Sequence, residues 1–165
     1  CLVTAQNWEK RHEISCRFLR FGVQKRGAGV INYASPMNKV KMAILGCGGM
    51  SGAHAKRYKA NPDVQIVALC DVKAEICESY IARNLEGYEP KPQVFTDYDE
   101  MLAQSGADAI TIVTPHTMHF EHGKKAIEAG LHVFMEKPMV TDSGQAHELK
   151  NAVEKSGKIL VVGYN

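Results

Sequence analysis

The fold is decided by the stretch VKMAILGCGGMSGAH, which occupies residues 40–54. A short, mostly apolar run leads into a cluster of glycines, and the segment after them is compatible with a helix. Gly46 permits a tight turn off a strand, and Gly48 removes the side chain where the backbone must approach a pyrophosphate. Ser51, a small residue at the third fingerprint position, lets the helix pack closely, and the helix N-terminus suits phosphate groups. The stretch therefore predicts a dinucleotide-binding turn, although its third position is not the glycine of G-x-G-x-x-G.

A second part of this fingerprint is Asp71, which follows the apolar run 64–70. That run predicts a buried second strand. An acidic residue about 20 residues past the glycines, at the end of the second strand, is placed to accept hydrogen bonds from an adenosine ribose. The alternative is an ordinary strand–turn–helix with a solvent-exposed Asp. Because Asp71 would repel a 2′-phosphate and Val72 rather than Arg follows it, we expect NAD to be preferred over NADP.

Composition places the chain among ordinary globular proteins. Its 165 residues are enough for one domain with a sizeable core. The apolar content of 45% and charged content of 23% are typical of soluble proteins. Residues 37–165 carry a net charge of −2, so nucleic acid is not an expected partner. No apolar run approaches the ~18 residues of a membrane span, so a membrane partner is not expected either.

Cysteine usage indicates a reducing compartment. The number of cysteines is odd, no two form a C-x-x-C pair, and two lie in the predicted nucleotide turn and second strand. We therefore expect reduced thiols in a cytoplasmic protein. The cysteines are Cys1, Cys16, Cys47, Cys70 and Cys77.

Residues 1–36 differ from the rest of the chain. They contain six Lys and Arg against two Glu, show no sustained periodicity, and precede Met37. We expect a disordered or extraneous extension, such as translated upstream sequence, and a nucleotide-binding domain over residues 37–165. A transit peptide is the alternative, which the two glutamates and the lack of serine enrichment disfavour.

Strand and helix patterns alternate along residues 37–165. This order predicts βαβ units and an α/β fold, specifically a Rossmann-type doubly wound parallel sheet. The predicted strands are 40–45, 64–70, 94–95, 109–113, 131–135 and 159–162, and the predicted helices are 50–60, 73–84, 97–104, 118–129 and 143–156.

Two later segments carry further information. The first, TPHTMH at 114–119, directly follows the fourth predicted strand, and the second, AGLHVFMEKP at 129–138, runs through the fifth. In open α/β sheets ligands bind beyond the carboxyl ends of the strands, where Gly46 and Asp71 also lie. Lys137 thus brings a cation to the mouth of the predicted cofactor crevice.

With these motifs, residues 39–165 resemble the N-terminal nucleotide-binding domain of the glucose–fructose oxidoreductase / inositol dehydrogenase / MocA family. The resemblance rests on the glycine turn with His54, the Thr-Pro-x-x-x-His run, the Ala-Gly-x-His-Val stretch and Glu136-Lys137-Pro138. Gly-Tyr-Asn at 163–165 is similar to the family's exit from strand six. There the family chain enters a larger substrate domain that supplies further catalytic residues. We expect that domain to be absent from this chain.

The resemblance also implies roles for individual residues. It places Lys137 beside the nicotinamide and the substrate hydroxyl, as the candidate catalytic residue, and makes Thr114, Pro115 and His116 line the cofactor. The full set of candidate cofactor-binding residues is Gly46, Cys47, Gly48, Gly49, Met50, Asp71, Thr114, Pro115, His116, His119, Glu136 and Lys137.

Three histidines recur at intervals of three residues, as metal ligands on a helix can: His116, His119 and His122. No carboxylate or Cys is placed to complete a shell, so no metal site is expected. We expect His119 to hold the loop by hydrogen bonds and Glu136 to orient or pair with a neighbour.

The leading functional hypothesis is hydride transfer between a nicotinamide cofactor and a secondary alcohol of a sugar or cyclitol. A variant within the resembled family is an NAD-dependent glycosidase. A non-catalytic dinucleotide-binding module is the second class, because the substrate domain is expected to be absent. An S-adenosylmethionine methyltransferase is the third, which Glu-Lys-Pro at strand five disfavours. Homo-oligomerisation of the full-length protein stays open.

Overall fold

The computed structural model of the chain describes residues 39–163. The expected extension at 1–36 and the Tyr-Asn at 164–165 lie outside the described residues. The elements in chain order are β1 Val40–Leu45, α1 Ser51–Ala60, β2 Val64–Cys70, α2 Ala74–Asn84, β3 Gln93–Phe95, α3 Tyr98–Gln104, β4 Ala109–Ile112, a 3₁₀ turn His116–Met118, α4 His119–Glu128, β5 His132–Glu136, α5 Ser143–Ser156 and β6 Leu160–Gly163.

The six strands form one parallel sheet in the order β3-β2-β1-β4-β5-β6. This is the strand order of a doubly wound Rossmann fold, so the predicted fold class is confirmed. The chain reverses direction across the sheet between β1 and β4. The crevice beyond the carboxyl ends of these two strands is therefore where such a fold binds its ligand.

The register brings four strand ends to one level. Leu45 at the end of β1 pairs with both Cys70 of β2 and Ile112 of β4. Ile112 in turn pairs with Met135 of β5. The residues that follow these strands therefore leave the sheet side by side along one edge.

The two faces of the sheet are covered by separate apolar layers. Side chains of β1 alternate between them, because successive residues of a strand point to opposite faces. Ile44 lies in the layer under α1 and α2, together with Ile66, Leu69 and Tyr80. Neighbouring Leu45 lies in the layer under α3, α4 and α5. This burial on both faces explains why the strands are almost continuously apolar.

Helix ends follow local signals in the sequence. The Asp97 side chain caps α3 by accepting from the Glu100 N–H at 2.8 Å. Asp142 does the same for α5 from the Gln145 N–H. Gly157, with φ of +66°, ends α5 in the left-handed conformation that glycine favours. Within residues 39–163, no helix combines the length and apolar character needed to cross a membrane.

Candidate functional site

The turn after β1 requires glycine at its first position. Gly46 has φ of +93°, and a Cβ added there would lie 2.6 Å from the Val113 carbonyl oxygen. Its N–H donates to the Cys70 carbonyl at 2.9 Å. Any larger residue would meet both backbone strain and the main chain that follows β4. Gly46 therefore lets the turn lie close to the main chain after β4 on one side and to the end of β2 on the other.

The outer part of the turn is open. A Cβ at Gly48 or Gly49 would meet no atom within 4 Å, and both glycines and Met50 are exposed. Helix α1 begins directly afterwards, with no side-chain cap and no acidic residue in its first turn. The start of such a helix carries a partial positive charge that suits an anion, while the Gly52 and Ala53 N–H groups donate within the turn to the Gly49 and Met50 carbonyls. The residues present therefore fit a pyrophosphate group.

Small residues bring α1 close to its surroundings. Ser51 is fully buried, and its hydroxyl donates to the Gly48 carbonyl at 2.8 Å. At Gly52 an added Cβ would lie 2.8 Å from the side-chain oxygen of Asn84 on α2. Ser51 thus fills the third fingerprint position without preventing close packing of the helix.

Asp71 is fixed by two backbone donors. Its Oδ2 accepts from the Cys47 N–H at 2.7 Å, and its Oδ1 accepts from the Val72 N–H at 2.8 Å. A carboxylate has about four acceptor positions, so both oxygens retain capacity for further donors such as ribose hydroxyls. The predicted turn and the predicted acid are therefore joined directly.

The thiols beneath this turn are buried and free: Cys47, Cys70 and Cys77. The Cys47 and Cys77 sulfurs lie 3.7 Å apart. This hydrogen bond, together with burial, raises the pKa of the Cys47 thiol, and burial raises the pKa of Cys70 to about 12. Both groups stay protonated at neutral pH and serve as apolar packing rather than as nucleophiles. The contribution of Cys47 to the site is its backbone N–H, which fixes the Asp71 carboxylate.

The segment after β4 reaches the same edge. Pro115 and His116 are exposed there, while Thr114 is half-buried with its Oγ1 3.0 Å from His122 Nδ1. Because the Val113 carbonyl lies against Gly46, this segment runs beside the glycine turn. The assignment of Thr114, Pro115 and His116 as cofactor-lining residues stays a prediction.

His119 is completely buried and connects two loops. Its Nε2 lies 2.9 Å from the Thr114 carbonyl oxygen, and its Nδ1 lies 2.7 Å from the Pro138 carbonyl oxygen. Carbonyl oxygens only accept and a neutral imidazole carries one N–H, so the neutral ring donates to one of these carbonyls, and both bonds form together only when both ring nitrogens are protonated. The imidazole thus holds the loop after β4 to the loop after β5. Its direct assignment to cofactor binding stays a prediction.

The other two regularly spaced histidines behave differently. His116 is exposed, and His122 is buried against Tyr98, with burial lowering the pKa of its imidazole. The Tyr98 hydroxyl donates to the His122 carbonyl at 2.6 Å. In the part of the chain that the structure describes, no group of three or more His, Cys, Asp and Glu is placed to hold a metal ion.

Lys137 stands at the end of β5 as an exposed cation. It forms no ion pair or hydrogen bond with any residue of 39–163. Lys137 therefore remains available to a ligand, and its catalytic assignment stays a prediction.

Glu136 has a partner that the candidate set omitted. Its Oε1 lies 2.7 Å from Nε2 of His54 on α1. The expectation that Glu136 pairs with a neighbour agrees with this contact. His54 appeared in the sequence only as part of the glycine-turn motif, and no local signal indicated its partner, which lies 82 residues away.

His132, in the Ala-Gly-x-His-Val stretch, joins two strands. Its Nδ1 accepts from the Ile159 N–H at 3.1 Å, so it ties the start of β5 to the segment before β6. Burial, with a smaller contribution from Lys158, lowers the pKa of this imidazole. This part of the motif supports the sheet rather than the site.

Comparison with known proteins gives consistent results. The chain is 30% identical over 146 residues to a glycosyl hydrolase family 109 protein of Streptomyces coelicolor, covering 86% of this chain and 30% of that protein. It is also 30% identical over 133 residues to D-glucoside 3-dehydrogenase of Escherichia coli K12, covering 80% of this chain and 36% of that protein. Among solved structures, the chain matches GenD2 from gentamicin A biosynthesis in complex with NAD, with a TM-score of 0.69 and 28% identity. The match covers 86% of this chain and 37% of GenD2.

The chain thus spans about a third of the length of these relatives. A family profile described as "Oxidoreductase family, NAD-binding Rossmann fold" matches residues 40–164, nearly all of the described part. The resemblance that the Thr-Pro and Glu-Lys-Pro motifs suggested is therefore confirmed, and the chain belongs to the Gfo/Idh/MocA family of NAD-binding oxidoreductases.

Proposed function

We propose that residues 37–165 form the NAD-binding domain of a dehydrogenase that acts on a secondary alcohol of a sugar or cyclitol. The observation that carries this proposal is the link between the glycine turn and Asp71, with the Cys47 N–H donating to the carboxylate at 2.7 Å. The open space above Gly48 and Gly49 and the uncapped start of α1 supply room and donors for a pyrophosphate. NAD is the cofactor we expect, with NADP disfavoured.

In this proposal, different residues at the strand ends would bind different parts of the cofactor and the substrate. Bound NAD supplies the hydride acceptor or donor. The turn from Gly46 to Met50 would hold the pyrophosphate and Asp71 the adenosine ribose, while Thr114, Pro115 and His116 would line the cofactor. Lys137 would hydrogen-bond the reacting hydroxyl and favour the alkoxide as it develops. The main acid–base group would come from a part of the protein beyond this domain.

The substrate class is supported by the relatives. D-glucoside 3-dehydrogenase and a glycosyl hydrolase family 109 protein match the chain equally well at 30% identity. An NAD-dependent glycosidase is therefore a second candidate, and it would use the same cofactor site. We also propose a cytoplasmic location, which the free thiols of Cys47, Cys70 and Cys77 support.

The proposal is tested first by ligand binding. NADH fluorescence and calorimetry on the purified chain should show saturable binding of NADH and NAD, with no heat from S-adenosylmethionine. A chain that melts cooperatively yet binds neither nicotinamide nucleotide would contradict the proposal. Tight binding of S-adenosylmethionine would replace it with the methyltransferase hypothesis.

The catalytic assignment makes a separate prediction. Lys137 is exposed and unpaired within residues 39–163, so Lys137→Ala should leave the melting temperature within a degree or so of wild type. In a polypeptide that joins this domain to a substrate-binding region, the same change should lower kcat/KM by about 10²–10⁴. ADP-ribose affinity, which depends on the glycine turn and Asp71 rather than on Lys137, is measured beside it as the control. Turnover near wild type would show that Lys137 is only a surface charge.

A further inference from the structure

The two residues on either side of Lys137 are each held by a buried histidine. Before it, Glu136 Oε1 lies 2.7 Å from His54 Nε2. After it, the Pro138 carbonyl oxygen lies 2.7 Å from His119 Nδ1. Lys137 itself is exposed. The structure thus fixes the main chain around the lysine while its side chain stays free to meet a ligand.

The contact between His54 and Glu136 differs from an ordinary surface ion pair. The side chains are 9% and 18% exposed, so both groups have lost most of their water. A carboxylate that is largely desolvated needs a donor, and the imidazole N–H supplies it. The His54 ring is itself held in place, because the Phe134 ring lies 5.1 Å from it, tilted by 60°. The pair therefore has one defined geometry.

The pair also joins two functional elements. His54 lies in α1, the helix that begins at the glycine turn, and Glu136 ends β5 directly before Lys137. Helix α1 and the residue before the lysine are thereby connected through a part-buried hydrogen bond. A shift of α1 relative to β5 would alter the position of Lys137.

We propose that His54 is a positioning residue for Lys137 and acts through Glu136. This inference rests on the proposed function, in which Lys137 faces the nicotinamide end of NAD. His54 then supports binding of the nicotinamide half of the cofactor and leaves the adenosine half to the glycine turn and Asp71. His119 braces the other side of the same loop.

The test uses two amide replacements of His54. In His54→Gln the amide nitrogen reaches the position of Nε2 and still donates to Glu136, whereas in His54→Asn it reaches only the position of Nδ1. His147, exposed on α5, gives the matched control His147→Asn. Glu136→Ala removes the other half of the pair and provides a second route to the same result.

The first measurement needs no ligand. ¹⁵N relaxation of the Lys137 amide in the free chain should give an order parameter near the rigid value of about 0.85 in wild type, His54→Gln and His147→Asn. In His54→Asn and Glu136→Ala it should fall toward about 0.6, while amides of β1 and β4 stay unchanged. An unchanged Lys137 amide in either of these two folded variants overturns the proposal.

The second measurement separates the two halves of the cofactor. His54→Asn should weaken NAD binding by about 3- to 10-fold, the affinity that one hydrogen bond carries, and leave ADP-ribose affinity unchanged. Equal losses for both ligands, or none for NAD, overturn the positioning role. If the wild-type chain binds ADP-ribose and NAD at all, the proposed function stands whichever way the His54 variants behave. If it binds neither, the relaxation measurement still decides whether His54 orders Lys137.

Discussion

Asp71 illustrates how single side chains build this site, since its carboxylate accepts from the N–H groups of both Cys47 and Val72. The sequence predicted the acid from its distance to the glycines, because that spacing reflects one strand, one turn and one helix. It could not predict the Cys47 contact, which depends on how closely β1 and β2 bring their ends together. The sequence thus predicted which residue types build the site, but not which hydrogen-bond partners they have.

The charge of Asp71 leads to a prediction about cofactor choice. Wild type should bind NAD more tightly than NADP, because a 2′-phosphate would lie near the carboxylate. Asp71→Asn keeps an acceptor for the Cys47 N–H but removes the charge, so the ratio of NADP to NAD dissociation constants should fall by about 10-fold. Asp142→Asn, at the start of α5, is the matched control because Asn caps a helix as well as Asp does. Tighter binding of NADP to wild type would contradict the assignment.

At the scale of the elements, local signals predicted the boundaries well where they were complete. Helix α5 runs from Ser143 to Ser156 as predicted, because Asp142 caps its start and Gly157 ends it. Helix α4 was predicted from Met118, but a 3₁₀ turn over His116–Met118 precedes a helix that begins at His119. Pro115 precedes the 3₁₀ turn and is visible in the sequence, but the contact of His119 with the Pro138 carbonyl, 19 residues away, is not. The His54–Glu136 bond could not be predicted either, because its two residues lie 82 positions apart in the sequence.

The glycine turn gives a prediction that separates folding from binding. Gly46→Ala should lower the free energy of unfolding by at least about 2 kcal/mol, because the residue has φ of +93° and its Cβ would meet the Val113 carbonyl. Gly48→Ala, with no atom within 4 Å of the new Cβ, should change stability by less than about 1 kcal/mol and weaken NAD binding. Urea unfolding and NADH titration measure the two effects. A Gly48→Ala chain that binds NADH like wild type would show that the pyrophosphate does not approach that position.

For the whole molecule, alternating strand and helix patterns were enough to predict a doubly wound parallel sheet. The order β3-β2-β1-β4-β5-β6 is the one typical of a doubly wound sheet built from βαβ units. The pattern could not show which polar groups hold the sheet together. His132 accepts from the Ile159 N–H beside β6, and His122 lies buried beside Tyr98. Loss of water contact lowers the pKa of both imidazoles, so both couple the stability of the fold to pH.

We therefore expect the free energy of unfolding to decrease as the pH is lowered, because His122 and His132 become protonated more readily in the unfolded chain. Burial lowers the pKa of His122 and His132 below the ordinary 6.5, so the unfolded chain takes up protons at a higher pH than the folded chain. Their stabilisation is fully present above about pH 6.5 and is lost as pH falls through the lowered folded values. Each adds at most about 1.4 kcal/mol per pH unit to the slope. Urea unfolding at several pH values between about 5 and 8 measures it.

The contribution of His132 can be isolated with a variant that cannot titrate. In His132→Asn the side-chain oxygen lies near the position of Nδ1 and can still accept from the Ile159 N–H, so the fold keeps that bond. The loss of stability between about pH 7 and pH 5 should then be smaller than in wild type, by an amount within the limit for one proton. His147→Asn, which alters an exposed histidine on α5, should leave the wild-type slope intact. If His132→Asn keeps the full wild-type slope, the acid sensitivity comes from other groups and the lowered pKa of the half-buried His132 is not its cause.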